Sequence, residues 1–252
     1  MPCKEQMNTD YSALNRRFEA QAAWTGYFQK KLLQTLKTTP PWRMLETGCG
    51  TGALIRSMAG IASGDFLFYG IDKDLGGLKF AQTRQLSNLS GGAGEALPFP
   101  PDTFDLVCCH YLLLWVPDPV KILLEMRRCC KPRGIVAVIA EPDYTARADY
   151  PPTAASAGVR QTDALQKQGI DPQTGRRVFG WMLQAGFSRP VFGVHGVERT
   201  FHEQCDFLMA ENRQCGQDII SGLTSVPASM DQSAASAVIY VPTFFSYAVK
   251  EA

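Results

Sequence analysis

The stretch LETGCGTG at residues 45–52 decides the fold class of this 252-residue chain. It overlaps the end of an apolar run at 43–47 and precedes a segment with helical periodicity, so it lies where a strand becomes a helix. Gly48 permits a tight turn, Gly50 allows a ligand to approach the backbone, and Gly52 allows the helix to pack closely on the strand. The free amides at such a helix start attract an anionic group. The stretch therefore predicts a ligand-binding turn at the carboxyl end of a first strand.

Short apolar runs alternate with helical stretches downstream of this turn. Continuous apolar runs bounded by Gly, Asp and Pro are typical of strands that helices cover on both faces. Strand–helix alternation predicts right-handed crossovers and a doubly wound, mostly parallel α/β sheet. Two strands after the last helix predict a C-terminal antiparallel β-hairpin, with 200–237 inserted between its arms. The predicted strands are 43–47, 66–72, 104–110, 134–140, 190–199 and 238–249, and the predicted helices are 52–62, 74–86, 119–130, 171–185 and 203–221.

An amphipathic helix at 13–37 precedes the alternation and ends before Pro40 and Pro41. The sequence therefore predicts an N-terminal helical cap at 1–39 and a main domain at 40–252. Within that domain, 141–158 is expected to form a loop and 200–237 an insertion.

The composition points to a small-molecule partner. Lys plus Arg number 25 against 24 Asp plus Glu, which leaves no basic stripe for nucleic acid and no polybasic segment for a membrane surface. No run reaches the roughly 18 apolar residues of a membrane span, and residues 1–10 lack the apolar core of a signal peptide, so we expect a cytoplasmic protein. The eight cysteines form no C-x-x-C pair and are expected to be free thiols, with no metal site.

Two acidic residues suggest the ligand. Asp72 stands twenty residues beyond Gly52, at the end of the second predicted strand, where a carboxylate can accept hydrogen bonds from both hydroxyls of a ribose. The glycine spacing is G-x-G-x-G, preceded by Glu46, rather than the G-x-G-x-x-G of dinucleotide sites. A carboxylate there repels a pyrophosphate but suits an ammonium or sulfonium group. The ligand that combines adenine, ribose, a sulfonium and an amino-acid tail is S-adenosylmethionine.

Four blocks, in this order and spacing, resemble class I S-adenosylmethionine-dependent methyltransferases, and in particular the type 11 branch that includes quinone-biosynthesis enzymes. They are LETGCGTG at 45–52, YGID at 69–72, GEALPFPPDTFDLV at 94–107 and RRCCKPRGIVAVIAEPDY at 127–144. The resemblance covers about residues 40–145. It implies a Rossmann-like seven-stranded sheet with a C-terminal β-hairpin, and a methyl transfer that yields S-adenosylhomocysteine.

The resemblance also implies cofactor contacts. Glu46 would meet the methionine ammonium, Asp72 the ribose hydroxyls, and Lys73 would lie along the adenine. Ala93 stands where the family often has an acidic residue, so the adenine contacts are expected to fall to the residues that follow it. The implied cofactor-binding set is Glu46, Gly48, Cys49, Gly50, Asp72, Lys73, Gly94, Glu95 and His110, with Tyr11 and Arg16 reaching the methionine carboxylate if the N-terminal helix is a lid rather than a helix packed on the sheet.

Residues facing the methyl acceptor should follow the predicted strands 104–110 and 134–140, and the loop 141–158 and the insertion 200–237 are expected to lie on the acceptor side. A general base is needed only if the acceptor must lose a proton. We expect His110 to be able to titrate near neutrality, although a structural or cofactor-contact role stays open. The predicted catalytic residues are His110, Glu141 and Tyr144, with Tyr111, Trp115 and Asp143 as neighbours, and with Arg176 and Arg177 either holding an acidic acceptor or lying on a solvated helix face.

Two other functions stay open at this point. A nicotinamide-dependent oxidoreductase shares the doubly wound fold, but the glycine spacing and Glu46 argue against it. A non-catalytic module that binds S-adenosylmethionine is compatible with every cofactor motif, because the acceptor side carries no diagnostic motif.

Overall fold

The computed structural model describes residues 9–150, 152–196 and 238–251. Its strands are Trp42–Thr47 (β1), Phe66–Asp72 (β2), Leu89–Gly91 (β3), Phe104–Cys109 (β4), Cys130–Pro142 (β5), Ala148–Tyr150 (β6), Val191–Val194 (β7), Val238–Tyr240 (β8) and Thr243–Val249 (β9). Its α-helices are Tyr11–Trp24 (α1), Gly26–Thr35 (α2), Ala53–Ile61 (α3), Leu75–Thr83 (α4), Pro119–Cys129 (α5), Pro152–Lys167 (α6) and Thr174–Gln184 (α7).

Seven strands form one sheet in the order β3-β2-β1-β4-β5-β9-β7. β1 runs parallel to β2 and β4, and the pairs β2/β3 and β4/β5 are also parallel. β9 is antiparallel to both β5 and β7, between which it lies. The predicted α/β fold, a doubly wound and mostly parallel seven-stranded sheet with a C-terminal antiparallel hairpin, is confirmed.

Helices cover both faces of this sheet. Every residue of β4 is buried, as expected for a parallel strand between two helical layers. On one face, α5 and α7 contribute Ile122 and Met182 to a core cluster, and on the other, α2 and α3 contribute Leu32 and Met58. The carboxyl ends of β1, β2 and β4 are thereby fixed side by side.

The N-terminal segment forms two helices rather than the single predicted helix. The break lies at Thr25, whose hydroxyl donates to the Ala22 carbonyl at 2.9 Å. The buried Gln29 side chain donates to the same carbonyl at 2.6 Å and accepts from Ser57 of α3 at 2.8 Å. This polar network satisfies the backbone at the bend and fixes α1 at an angle that the helical periodicity does not reveal.

The region expected to be an acceptor-side loop contains regular structure. Residues 141–158 include the end of β5, the strand β6 and the start of α6, where Pro152 occupies a position that proline tolerates well. The predicted strand 238–249 is divided before Thr243, because Pro242 cannot donate to a ladder. Its first part, β8, pairs with β6 in a separate two-stranded sheet.

Three further observations complete the fold. The short strand β3 was not expected from the sequence, and it extends the sheet beyond β2. The predicted helix 203–221 and the insertion 200–237 lie outside the described residues. Within the described ranges, no helix has both the length and the apolar character that crossing a membrane requires.

Candidate functional site

A cavity of about 310 Å³ lies at the carboxyl ends of β1, β2 and β4, beneath α1. A smaller cavity of about 70 Å³ adjoins it on the side of β3. The two share five lining residues, which are Gly48, Asp72, Lys73, Leu112 and Trp115. Together they offer an elongated space with one end under α1 and the other beside residues 92–95.

The glycine turn, residues 48–52, forms the floor of the larger cavity. Gly48, Gly50 and Gly52 all have positive φ, at 75°, 51° and 75°. L-residues with a side chain avoid this conformation, so the turn requires glycine. A Cβ at Gly52 would lie 2.2 Å from Leu86 Cδ1, and one at Gly48 would lie 2.7 Å from Leu112 Cδ1. The turn is therefore held between close neighbours that leave its upper side to a ligand.

Glu46 is an acidic residue that is buried in the wall of the larger cavity. It lines the cavity wall, is only 3% exposed, and its Oε2 has no hydrogen-bond partner among the described residues. Burial and the nearby Asp72 raise the pKa of this carboxyl well above its usual range. An unpaired buried carboxylate is costly, so this oxygen is suited to a cation or a hydrogen-bond donor of a ligand.

Asp72 lines both cavities and is half-buried. Its Oδ2 accepts from the Gly50 amide at 2.7 Å, and its Oδ1 accepts from the Asp74 amide at 2.8 Å. These bonds fix the carboxylate yet use only one acceptor position on each oxygen. Asp72 thus retains two acceptor positions for the hydroxyl groups of a ligand.

The remaining predicted cofactor residues lie around the smaller cavity or beneath the glycine turn. Lys73 is exposed and lines both cavities, and Ala93, Gly94 and Glu95 line the smaller one. Cys49 lines the larger cavity and packs against Ile55 and Leu78, and burial raises the pKa of its thiol.

The N-terminal helix does reach the cavity, but through other residues than those predicted. Arg17 and Gln21 line it, and both Arg17 Nε and Gln21 Nε2 are buried without a hydrogen-bond partner in the described residues. Arg16 is exposed and donates to Ser12 at 3.1 Å. Tyr11 donates to Asp74 Oδ1 at 2.9 Å and lines neither cavity. The signal available in the sequence was the helical spacing of Leu14, Arg17, Phe18 and Gln21, which places these four on one face.

His110 lines the larger cavity, and its Nε2 has no hydrogen-bond partner in the described part of the chain. Burial, together with the charge of His195, lowers the pKa of His110 to about 3. This corrects the expectation that it titrates near neutrality, since the imidazole is neutral at physiological pH. Tyr111, Leu112 and Trp115, which follow it, also line the cavity wall.

Glu141 and Tyr144, the other two predicted catalytic residues, line neither cavity. Glu141 is fully buried, and its carboxylate accepts from the amides of Leu112, Leu113 and Leu114 at 2.8, 2.7 and 3.4 Å. Tyr144 is buried in a small apolar cluster with Leu114. Both residues lie at the strand end that the sequence predicts, and the structure buries their side chains away from the two cavities.

The charged residues expected near an acceptor are also paired elsewhere. Asp143 is buried and forms an ion pair with Arg176, while Arg177 pairs with Asp171 at 3.1 Å. These groups therefore hold the start of α7 against the end of β5. His195 packs on Phe28 and makes a 2.7 Å hydrogen bond with the Ile139 carbonyl, and His202 lies outside the described residues.

Comparison with known sequences gives a consistent family. The type 11 family described as "Methyltransferase domain" matches residues 45–138. A demethylmenaquinone methyltransferase of Bacillus cereus is 30% identical over 218 residues, which are 78% of this chain and 86% of that protein. An uncharacterised methyltransferase of Schizosaccharomyces pombe is 29% identical over 62% of this chain. The matched part spans only 59% of the length of that protein.

Solved structures show the same fold. A methyltransferase of Thermotoga maritima described as S-adenosylmethionine-dependent has a TM-score of 0.57 at 14% identity, over 96% of this chain and 99% of that one. A phosphoethanolamine N-methyltransferase of Haemonchus contortus, solved with S-adenosylhomocysteine and phosphomonomethylethanolamine, has a TM-score of 0.56 at 16% identity, over 90% of this chain and 53% of that one.

Proposed function

Because the chain belongs to the type 11 branch of the class I S-adenosylmethionine-dependent methyltransferases, we propose that it transfers a methyl group to a small-molecule acceptor by in-line displacement. The cofactor of this family is S-adenosylmethionine, and its product is S-adenosylhomocysteine.

The observation that carries the proposal is the unpartnered buried oxygen of Glu46 in a cavity that also holds Asp72. A group that is both cationic and a hydrogen-bond donor would satisfy Glu46, and the methionine ammonium is such a group. Asp72 would accept from the ribose hydroxyls with the positions that Gly50 and Asp74 leave free. The two carboxylates of the cavity therefore fit the methionine ammonium and the ribose hydroxyls of S-adenosylmethionine.

Other residues would complete the cofactor site. Lys73 would lie along the adenine, which would occupy the smaller cavity beside Gly94 and Glu95. Arg17 and Gln21 would hold the methionine carboxylate from above, since Arg17 Nε and Gln21 Nε2 have no hydrogen-bond partner among the described residues. This assignment makes α1 a lid that closes the cofactor cavity.

The acceptor-facing residues act by positioning rather than by proton transfer. When bound, the cofactor supplies a sulfonium-activated methyl group, whose transfer disperses charge, so alignment and exclusion of water are the main demands on the protein. Leu14, Phe18 and Leu112 provide an apolar wall that excludes water. The neutral His110 would hydrogen-bond the acceptor through Nε2 without removing its proton.

A small molecule is the class of acceptor that this site favours. The cavity wall near His110 is built from apolar and aromatic side chains, and the overall charge of +1 offers no surface for nucleic acid. The names of the Bacillus cereus relative and of the Haemonchus contortus enzyme also refer to small-molecule substrates.

The proposal is tested by incubating the protein with S-adenosylmethionine and a panel of small hydroxyl, amine, thiol and carbon-acid acceptors, and by measuring S-adenosylhomocysteine release. We expect release that depends on one acceptor class and is lost in Glu46→Gln. Binding of the cofactor with no acceptor-dependent release across the panel would favour a non-catalytic module. Binding of reduced nicotinamide, seen as a fluorescence shift, together with no binding of S-adenosylmethionine, would favour the oxidoreductase.

A further inference from the structure

The turn that follows β4 forms a wall shared by both cavities. Residues 110–115, here called the β4 turn, contribute His110 and Tyr111 to the larger cavity, and Leu112 and Trp115 to both. Tyr111 has a φ of 53°, a left-handed conformation that costs free energy in a residue with a side chain. Such a turn keeps its shape only if the surrounding structure holds it.

Glu141 is the group that holds it. Its carboxylate, fully buried at the end of β5, accepts from three successive amides of the β4 turn, with Oε1 bonded to Leu112 and Leu113 and Oε2 facing Leu114. No ion pair to Glu141 forms within the described ranges of the chain. One buried side chain thus provides the acceptors for backbone donors that the strained turn leaves unsatisfied.

The β4 turn also packs against the glycine turn. Leu112 Cδ1 lies 2.7 Å from the position that a Cβ on Gly48 would occupy, so the Leu112 side chain fills the space that this glycine leaves. Gly48 itself donates to the Ile71 carbonyl at 2.8 Å and lines both cavities. A continuous series of contacts therefore runs from Glu141 through Leu112 to the floor of the cofactor cavity.

We propose that Glu141 is a positioning residue for methyl transfer, which shapes the cofactor cavity by holding the β4 turn against the glycine turn. Glu141 touches neither cofactor nor acceptor in this scheme, and its contribution is the hydrogen-bond acceptor that it offers to the three amides. Burial raises the pKa of Glu141 to about 8. A protonated carboxyl still accepts through its carbonyl oxygen, so the role does not require a charge. The inference rests on the proposed function, because it takes the cavity to be the S-adenosylmethionine site.

The test compares two substitutions at Glu141 by titration calorimetry with S-adenosylhomocysteine. Glu141→Leu removes the acceptor, so the amides must find other partners and the turn moves; we expect the dissociation constant to rise about tenfold or more. Glu141→Gln keeps a carbonyl oxygen at the same reach, and we expect its dissociation constant to stay within about threefold of the unsubstituted protein. Rescue by Gln is a result that a role in acid–base chemistry does not predict.

The matched control is Asp105→Leu. Asp105 is also a fully buried carboxylate that accepts from a backbone amide, that of Arg43 at 2.9 Å, but it lies at the opposite end of β4. We expect Asp105→Leu to lower the melting temperature without changing the dissociation constant. If Glu141→Leu behaves in the same way as Asp105→Leu, Glu141 serves stability only and the inference is overturned.

A second variant, Leu112→Ala, tests the same inference if Glu141→Leu does not fold. Leu112→Ala leaves the hydrogen bonds of Glu141 in place and removes the side chain that packs on Gly48, so we expect a several-fold rise in the dissociation constant. An unchanged constant in Leu112→Ala would break the proposed series of contacts. Tight binding by the unsubstituted protein with no effect of either variant overturns this inference alone, whereas no binding by the unsubstituted protein overturns the proposed function and this inference with it.

Discussion

At the scale of single residues, the site is defined by buried polar atoms that have no hydrogen-bond partner among the described residues. Glu46 Oε2, Arg17 Nε, Gln21 Nε2 and His110 Nε2 all lack partners in the described structure, and all four residues line one cavity. Buried polar groups are nearly always hydrogen-bonded in native proteins, so such a concentration marks a ligand site.

The sequence identified only part of this set. Glu46 and Asp72 were predictable because each is fixed by local chain geometry, at the end of a strand beside a glycine turn. Arg17 shares a helical face with Leu14, Phe18 and Gln21, but the spacing alone does not show that this face of α1 turns to the cavity. The inward orientation of Glu141 depends on the strained turn at Tyr111, a tertiary feature without a local signal.

We predict that binding of S-adenosylhomocysteine releases a proton from Glu46. Burial and Asp72 raise the pKa of Glu46 above 4.5 in the unliganded protein, whereas an ammonium beside the carboxylate lowers it. At pH values between the pKa of Glu46 in the complex and its pKa in the unliganded protein, the affinity should therefore increase as the pH rises. Above the pKa of Glu46 in the unliganded protein, the affinity should become constant. Calorimetry in two buffers with different ionisation enthalpies measures the proton directly.

In the unliganded protein, the raised pKa of Glu46 makes the free energy of unfolding fall as the pH rises, whereas the affinity for the ligand increases. A raised pKa means that the stabilisation from the protonated carboxyl is complete below pH 4.5 and is lost as the pH rises through the folded-state pKa. Glu46→Gln should remove both pH dependences. An affinity that is independent of pH in the unsubstituted protein, with no buffer dependence of the heat, would count against an ionised Glu46 in the complex.

At the scale of elements, α1 is held against α4 by two contacts, one at its first residue, Tyr11, and one at Glu19. Tyr11 donates to Asp74, which also caps α4, and Arg84 pairs with Glu19 at 2.8 Å. Of the cavity-facing residues, Arg17 lies between these contacts and Gln21 lies just beyond Glu19. The helical periodicity of this segment was visible in the sequence, but its contacts with α4 join residues more than sixty positions apart and have no sequence signal.

We predict that loosening these contacts weakens cofactor binding without unfolding the protein. The double variant Tyr11→Phe/Glu19→Gln removes one hydrogen bond and one partly exposed ion pair, which are together worth about 1 kcal/mol, so the dissociation constant for S-adenosylhomocysteine should rise about fivefold. The change should lie mainly in the dissociation rate, measured by stopped-flow displacement.

The control for the lid is Arg177→Gln, which removes a comparable exposed ion pair, with Asp171, on residues that line neither cavity. Its dissociation rate should match that of the unsubstituted protein. Equal rates in all three proteins would mean that α1 does not retain the ligand.

At the scale of the whole molecule, the sheet order explains why the site lies where it does. β1 is next to both β2 and β4, so the ends of these three strands bring Glu46, Asp72 and His110 to one edge. This arrangement followed from the strand–helix alternation in the sequence. The separate β6/β8 sheet and the helix α6 did not, because the alanine-, serine- and proline-rich segment after Tyr150 resembles a turn, and pairing with β8 is long-range.

We predict that the C-terminal strand is needed for the whole fold. β9 lies between β5 and β7, so deleting residues 243–252 uncovers the buried strand β5 and separates β7 from the sheet. The truncated chain should lose its cooperative thermal transition in near-ultraviolet circular dichroism. Deletion of 251–252 alone removes no β9 residue and should leave the transition in place. A cooperative transition in the longer truncation would contradict the central position of β9.

The most direct test of the account is calorimetric titration with S-adenosylhomocysteine of the unsubstituted protein, Glu46→Gln, Asp72→Asn and the remote control Asp105→Asn. We predict a dissociation constant on the order of micromolar for the unsubstituted protein and the control, and constants at least about tenfold higher for the two cavity variants. No heat with the unsubstituted protein, or equal affinity in all four, would contradict the claim that these two carboxylates hold the cofactor.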